Sequence, residues 1–259
     1  MTALLVAFAA VFGLVVGSFL NVVIWRVPRG ESVVAPRSRC PRCETPIAPR
    51  DNVPVLSWLL LRGKCRHCGE PISGRYPAVE LLTAGVFAAF AARLGYDWAL
   101  PAFLYLAAVG VALALIDLDT KKLPNALTLP SYVVGPVLLG AAALAEGESW
   151  PVLRARIGLA VLYGVYFLVA FINPRGMGFG DVKLAGVLGL YLGWLGWGEL
   201  AVGAMLGFLL GGLWGVGAML ARRATRKTQV PYGPFMVAGA FLAVLVGSTV
   251  ADAYVGTFV

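Results

Sequence analysis

The chain has 259 residues, 59% of them hydrophobic and 13% charged, with a net charge of +8 and a mean hydropathy of +0.82. Soluble domains are about 45–50% apolar, so this composition excludes an ordinary soluble fold and points to a membrane protein that crosses the bilayer several times. The excess of Lys and Arg is accounted for by basic cytoplasmic loops, and no nucleic acid is expected as a partner.

Met1 to Ala10 carries no basic residue, and Arg26 and Arg29 follow the first apolar run, so the start reads as a first span with its N-terminus outside rather than as a cleavable signal. With about 20 apolar residues per crossing, eight spans are expected, at 3–25, 78–95, 98–116, 126–145, 157–173, 182–197, 199–221 and 232–254. Both termini then lie outside. Of the 21 basic residues, 18 fall in the inside loops, and only Arg93, Arg154 and Arg156 fall outside. This asymmetry is what the positive-inside rule requires. The fold class is all-α polytopic, with about eight transmembrane helices and a small cytoplasmic zinc-binding loop domain. Its expected divisions are 1–25, 26–77 and 78–259.

Segment 26–77 is the one long polar stretch, rich in Arg, Pro and Cys, without helical or strand periodicity. It holds Cys40-Pro41-Arg42-Cys43 and Cys65-Arg66-His67-Cys68, two CxxC pairs separated by 21 residues. Two such turns present four thiolates, the tetrahedral shell that structural zinc prefers. A cytoplasmic location disfavours the disulfide alternative. Four protein ligands close the shell, so the metal is expected to hold the loop together rather than to activate water. His67, the single histidine, lies between two ligands and reads as a solvated side chain.

Inside the later spans, glycines such as Gly203, Gly207, Gly211 and Gly212 read as helix-packing positions. Trp150, Trp194 and Trp197 lie near span ends and read as interfacial anchors.

Two acids stand at span boundaries, Asp117 and Asp181, the latter within Met177-Gly178-Phe179-Gly180-Asp181-Val182-Lys183. An ionisable group in such a place is a functional candidate. The span count puts both on the cytoplasmic face. Two carboxylates held together share one proton, so one can accept a proton from water while the other donates to a carbonyl oxygen. That is peptide hydrolysis without a metal or a nucleophilic side chain. Gly178 and Gly180 are expected to let a substrate backbone approach Asp181. Asp119 competes with Asp117, and two residues apart on a helix they face different directions.

Further blocks carry a resemblance: Gly17-Ser18-Phe19-Leu20-Asn21, Asn52-Val53-Pro54-Val55-Leu56-Ser57-Trp58, Arg62-Gly63-Lys64 before the second CxxC, Tyr76-Pro77 with Glu80-Leu81-Leu82, Leu123-Pro124-Asn125, and Pro231-Tyr232-Gly233-Pro234-Phe235. With the aspartates and cysteines, over nearly the full length, they resemble the type IV prepilin peptidases, the leader peptidases and N-methyltransferases of bacterial pilus and type II secretion systems. The family places its first catalytic aspartate six residues before a Leu/Ile-Pro pair, which selects Asp117, and its second at the end of GxGD, here Asp181. The resemblance implies cleavage of a prepilin or pseudopilin after a glycine on the cytoplasmic side of the inner membrane. It also implies methylation of the new N-terminal residue by S-adenosylmethionine, with Gly63 and Lys64 at loop positions associated with methyl transfer. The retained cysteines favour the bifunctional form over a peptidase alone.

Two other classes compete. A transporter relaying protons through the acids needs polar residues across span 98–116, which has almost none. A scaffold recruiting partners through its zinc loop leaves the acids without a purpose.

Overall fold

The computed structural model describes residues 1–173, 177–221 and 230–257. Arg175, Arg222, Arg223, Arg226 and Lys227, which entered the charge count above, lie outside the described residues. The chain divides into two units, Met1–Tyr96 and Asp97–Val259.

In the first unit, α1 (Thr2–Arg26) and α3 (Arg75–Leu94) pair antiparallel, with the loop and the short α2 (Leu56–Leu60) between them in sequence. Gly13 and Gly17, one turn apart, form the seam. A Cβ on Gly13 would stand 2.7 Å from the Ala84 Cα, and one on Gly17 would stand 2.7 Å from the Glu80 Cα. Small residues bring the backbones together because lipid offers no hydrophobic drive for helix association. The other faces of α1 carry exposed Leu4, Phe8, Val11 and Val15, as suits contact with acyl chains.

The second unit holds α4 (Leu100–Thr120), α5 (Asn125–Glu146), α6 (Trp150–Ile172), α7 (Phe179–Leu195), α8 (Trp197–Leu220) and α9 (Gly233–Val255). Seven of the described helices are long and apolar enough to cross a membrane, by length and composition. α7 supplies the eighth apolar helix: its 17 residues span about 26 Å, at the short end of what a crossing requires. It is also the innermost, with every residue from Leu184 to Trp194 buried.

Glycine again sets the packing. Gly158 of α6 interlocks with Gly189 and Gly193 of α7, and Gly207 of α8 meets Gly239 of α9. Gly203 and Gly211 are likewise contact positions, whereas Gly212 faces open space. α6 begins seven residues before its expected span, taking Arg154 into the helix. From there the Arg154 guanidinium donates to the carbonyls of Gly193 (2.7 Å), Trp194 and Leu195 (2.8 Å) at the C-terminus of α7. Its charge thereby sits at the negative end of that helix dipole. Trp150 and Trp197 are exposed as expected of interfacial residues, but Trp194 is only 5% exposed and belongs to the core. It precedes the helix end by one residue, and α7 is surrounded by neighbours where a peripheral helix would meet headgroups.

Candidate active site

Asp117 occupies the last turn of α4. That helix ends because Lys121 takes a left-handed conformation (φ 54°), its N–H bonding back to the Asp117 carbonyl, and Pro124 then opens α5. The Asp117 side chain is 4% exposed, and its Oδ2 accepts a hydrogen bond of 2.9 Å from the Gly233 N–H at the start of α9. Asp119 is exposed on the other side of the helix.

Asp181 is the third residue of α7 and accepts a bond of 3.0 Å from the Gly178 N–H, the residue preceding the helix. A carboxylate in the first helical turn is favoured by the positive end of the dipole and by otherwise unpaired amides. Two bonds seat this turn on α5: the Lys183 Nζ donates to Asn125 Oδ1 at 2.9 Å, and the Tyr132 hydroxyl donates to the Lys183 carbonyl at 2.7 Å.

Leu123 links the two aspartates. A Cβ on Gly180 would be 3.0 Å from the Leu123 Cβ, and one on Gly233 would be 3.3 Å from its Cδ2 and 2.9 Å from Asp117 Oδ2. The end of α4, the start of α7 and the start of α9 therefore converge on one leucine, and the two carboxylates interact electrostatically. Gly180 was expected to open a path to substrate. It instead makes room for Leu123, because the second helical residue of α7 faces the α4–α5 turn. Sequence reasoning did not find the Gly233 amide, although Gly233 lies within a quoted motif, since an N–H donor leaves no mark in residue type.

The first unit holds the cysteine loop. Cys40 and Cys68 sulfurs are 3.7 Å apart, Cys43 and Cys65 sulfurs 4.0 Å, and all four lie within 4.8 Å of one another. A tetrahedral ion with Zn–S bonds near 2.3 Å needs sulfurs about 3.8 Å apart, so this donor set fits zinc. The two halves repeat each other. Cys40 N–H bonds to the Thr45 carbonyl and Cys65 N–H to that of Glu70; Ile47 N–H bonds to Ser38 and Ile72 N–H to Gly63. Glu44 (φ 56°) and Gly69 (φ 71°) fill the matching left-handed place. Hydrogen bonds from Thr45 hold the Cys43 thiol down to about 6. Against a lowering hydrogen bond from the Glu70 amide, burial and the neighbouring sulfurs push Cys68 up to about 12. Four sulfurs this close could be held together as thiolates by one cation.

Beside this core, Arg66 grips both oxygens of Asp51 at 2.6 and 2.8 Å and holds that carboxyl below the usual carboxylate range. Gly63 (φ 66°) is buried, and a Cβ there would stand 2.9 Å from the Trp58 ring, while Lys64 is exposed. The Trp58 Nε1–H is fixed to the Ile72 carbonyl at 3.0 Å. Sequence reasoning also missed the turn at Val55. The Leu56 N–H reaches the Pro54 carbonyl at 2.5 Å across Val55, whose φ of 60° and ψ of −51° define a strained γ-turn. The Val55 N–H is held by the buried Glu80 carboxylate at 2.7 Å.

Comparison with known proteins finds one family match within each unit. Residues 11–94 match the bacterial peptidase A24 N-terminal domain, and residues 102–216 match the type IV leader peptidase family. A prepilin leader peptidase/N-methyltransferase of Aeromonas hydrophila is 37% identical over 95% of this chain and 92% of its own length. The chain belongs to the type IV leader peptidase family. Another relative with the same description, from Bacillus subtilis, is 33% identical over 95% of this chain and 96% of its own. One from Myxococcus xanthus is 41% identical over 74% of this chain and 57% of its own. No solved structure matches.

Proposed function

We propose that the protein is a membrane aspartyl endopeptidase that removes the leader of type IV prepilins or pseudopilins after a glycine, and that N-methylates the residue so exposed. The observation that carries the peptidase half is the convergence of Asp117 and Asp181, distant in sequence, around Leu123. The pair holds one proton between them. The ionised carboxylate takes a proton from water as the hydroxide oxygen bonds to the scissile carbonyl carbon, and the protonated one gives its proton to the carbonyl oxygen. Breaking the C–N bond then returns a proton to the departing amine. The catalytic face and the cysteine loop are cytoplasmic, both termini are outside, and the membrane is the bacterial inner membrane, on the charge asymmetry of the loops. An apolar substrate helix can lie in the lipid and present its leader junction to this boundary.

Cys40, Cys43, Cys65 and Cys68 hold a structural Zn²⁺. S-adenosylmethionine supplies an electrophilic methyl group to the new α-amine. At the loop, Gly63 acts through its backbone, seating Trp58 and setting the register of the second cysteine turn, and Lys64 is the residue open to the methyl donor.

Co-expression with a prepilin, followed by intact-mass measurement of the pilin, tests both halves. The expected product is shortened by its leader and heavier by one methyl group. Leader removal at the unaltered rate by Asp117→Asn or Asp181→Asn protein would overturn the dyad, and an unmethylated product in the presence of S-adenosylmethionine would remove the second activity.

A further inference from the structure

The short helix α2 has two faces. On one, the Ser57 hydroxyl donates to the Arg50 carbonyl at 3.0 Å and accepts from the Val53 N–H at 3.0 Å, while the Trp58 indole is fixed to Ile72 and lies over Gly63. This face belongs to the cysteine loop. On the other, Leu56, Leu59 and Leu60 fall at i, i+3 and i+4 and form one apolar stripe, with exposures of 58%, 57% and 82%. A contiguous apolar stripe left open on a polar loop marks a surface that something else covers.

One buried contact sets where α2 lies. Val55, the residue before it, gives its N–H to the Glu80 carboxylate at 2.7 Å, and Glu80 is buried in the α1–α3 seam against Gly17. Glu80 is five residues past Arg75, the start of α3, or about 7.5 Å along the helix axis. The polar layer of each leaflet is about 5–8 Å deep. With the apolar α3 entering the bilayer at Arg75, α2 begins near the floor of that layer. The same turns of α3 carry exposed Leu81 and Leu82, so the stripe starts beside a surface suited to acyl chains. At the end of α1, Arg29 stacks 3.6 Å above the ring of the exposed Trp25, a pairing suited to a membrane interface. Residues 26–75 carry ten Lys and Arg against four Asp and Glu, and three of those acids, Glu44, Asp51 and Glu70, are paired with arginines. Such an excess attracts anionic headgroups.

We propose that α2 is an interfacial helix docked on the lipid bilayer, with Leu56, Leu59 and Leu60 entering the headgroup–acyl boundary beside α3, while Ser57 and Trp58 hold the cysteine loop on the aqueous side. The bilayer covers the stripe that the loop leaves open. This docking involves the first unit alone and is independent of Asp117 and Asp181.

The test places a photoreactive benzoylphenylalanine at position 59, at position 60 or, for comparison, at position 67 on the second cysteine turn. Full-length protein in nanodiscs of phosphatidylcholine and phosphatidylglycerol is irradiated with and without a purified prepilin, and the adducts are identified by mass. We expect phospholipid as the main adduct at 59 and 60 in both conditions, and little at 67. A main adduct with prepilin or with a second copy of the chain overturns the docking, as does the absence of any adduct or an equal yield of lipid adducts at all three positions. Hydrogen exchange gives an independent measurement without a probe. In nanodiscs, the Leu56→Ser, Leu59→Ser, Leu60→Ser triple variant should exchange the amides of residues 56–62 at least about tenfold faster than the unaltered protein, with the cysteine turns within about twofold. Unchanged exchange overturns the docking. Exchange that rises equally through the cysteine turns also overturns it, since the leucines would then support the fold of the loop itself.

Discussion

Around the four cysteines, residues outside the long helices are positioned by short backbone bonds repeated in two similar turns, and the region has few buried apolar side chains. Around Asp117 and Asp181, no turn repeats and no metal-ligand set is present among the described residues; three helix ends are brought together because glycines let helices approach and leucines fill what remains. The first arrangement gathers four sulfurs that could hold one ion, and a small polar loop buries little surface with which to stabilise itself. The second depends on packing, and its carboxylates are oriented by backbone amides that exist only when the helices are in place. One chain thus uses local chemistry where it is wet and close packing where it is in lipid.

The sharpest way to break that contrast is at the carboxylates. Asp117→Asn and Asp181→Asn should each lower prepilin cleavage on the order of 10³-fold, within the range for lost acid–base catalysis, with helix content by circular dichroism unchanged. Metal removal should act on the other region. A strong chelator, or Cys40→Ser, should release zinc and expose residues 36–74 to limited proteolysis, abolish methylation, and leave cleavage within about tenfold of the unaltered rate. Equal loss of both activities would show that the two regions are less independent than their construction implies.

A smaller effect is expected from the helix seams. Gly158→Ala places a methyl group against the Gly189 carbonyl and should destabilise by about 1–3 kcal/mol, the usual cost of overpacking, read as a lower midpoint in thermal unfolding. Because α7 carries Asp181 at its far end, cleavage should fall in the same variant. The smallest effect runs the other way. Val55→Gly relieves a strained backbone worth about 1–3 kcal/mol at the expense of about 0.5–1 kcal/mol of chain entropy, so the loop should become more resistant to proteolysis. A loop that becomes more labile would mean that the Val55 side chain contributes more through packing than its φ angle costs.

Much of this was legible from residue type. Asp117, Asp181 and the four cysteines are conspicuous because charge between apolar spans and paired CxxC motifs have few other uses. The seven described helices long and apolar enough to cross a membrane, and the shorter α7, followed from hydropathy. The start of α6 was missed because Arg154 and Arg156 interrupt the apolar run, and the three carbonyls at the end of α7 that satisfy Arg154 lie some forty residues away in sequence. Gly180 was read as open to substrate because an absent side chain looks the same whether a ligand or Leu123 fills the space. Trp194 was placed at an interface by its distance from a span end, which measures depth along a helix and not which neighbours surround it.

What the sequence determined by itself is therefore the chemistry available and its division between lipid and water: apolar length, the sign of loop charge, thiols in pairs, and two isolated acids. These are properties of short stretches and survive without a fold. Tertiary structure alone decided that the Gly233 amide meets Asp117, that Leu123 lies against both Gly180 and Gly233, and that the Arg154 guanidinium caps the end of α7. Those relations join atoms of different helices, and helix packing geometry, to which every side chain along each seam contributes, sets which atoms meet.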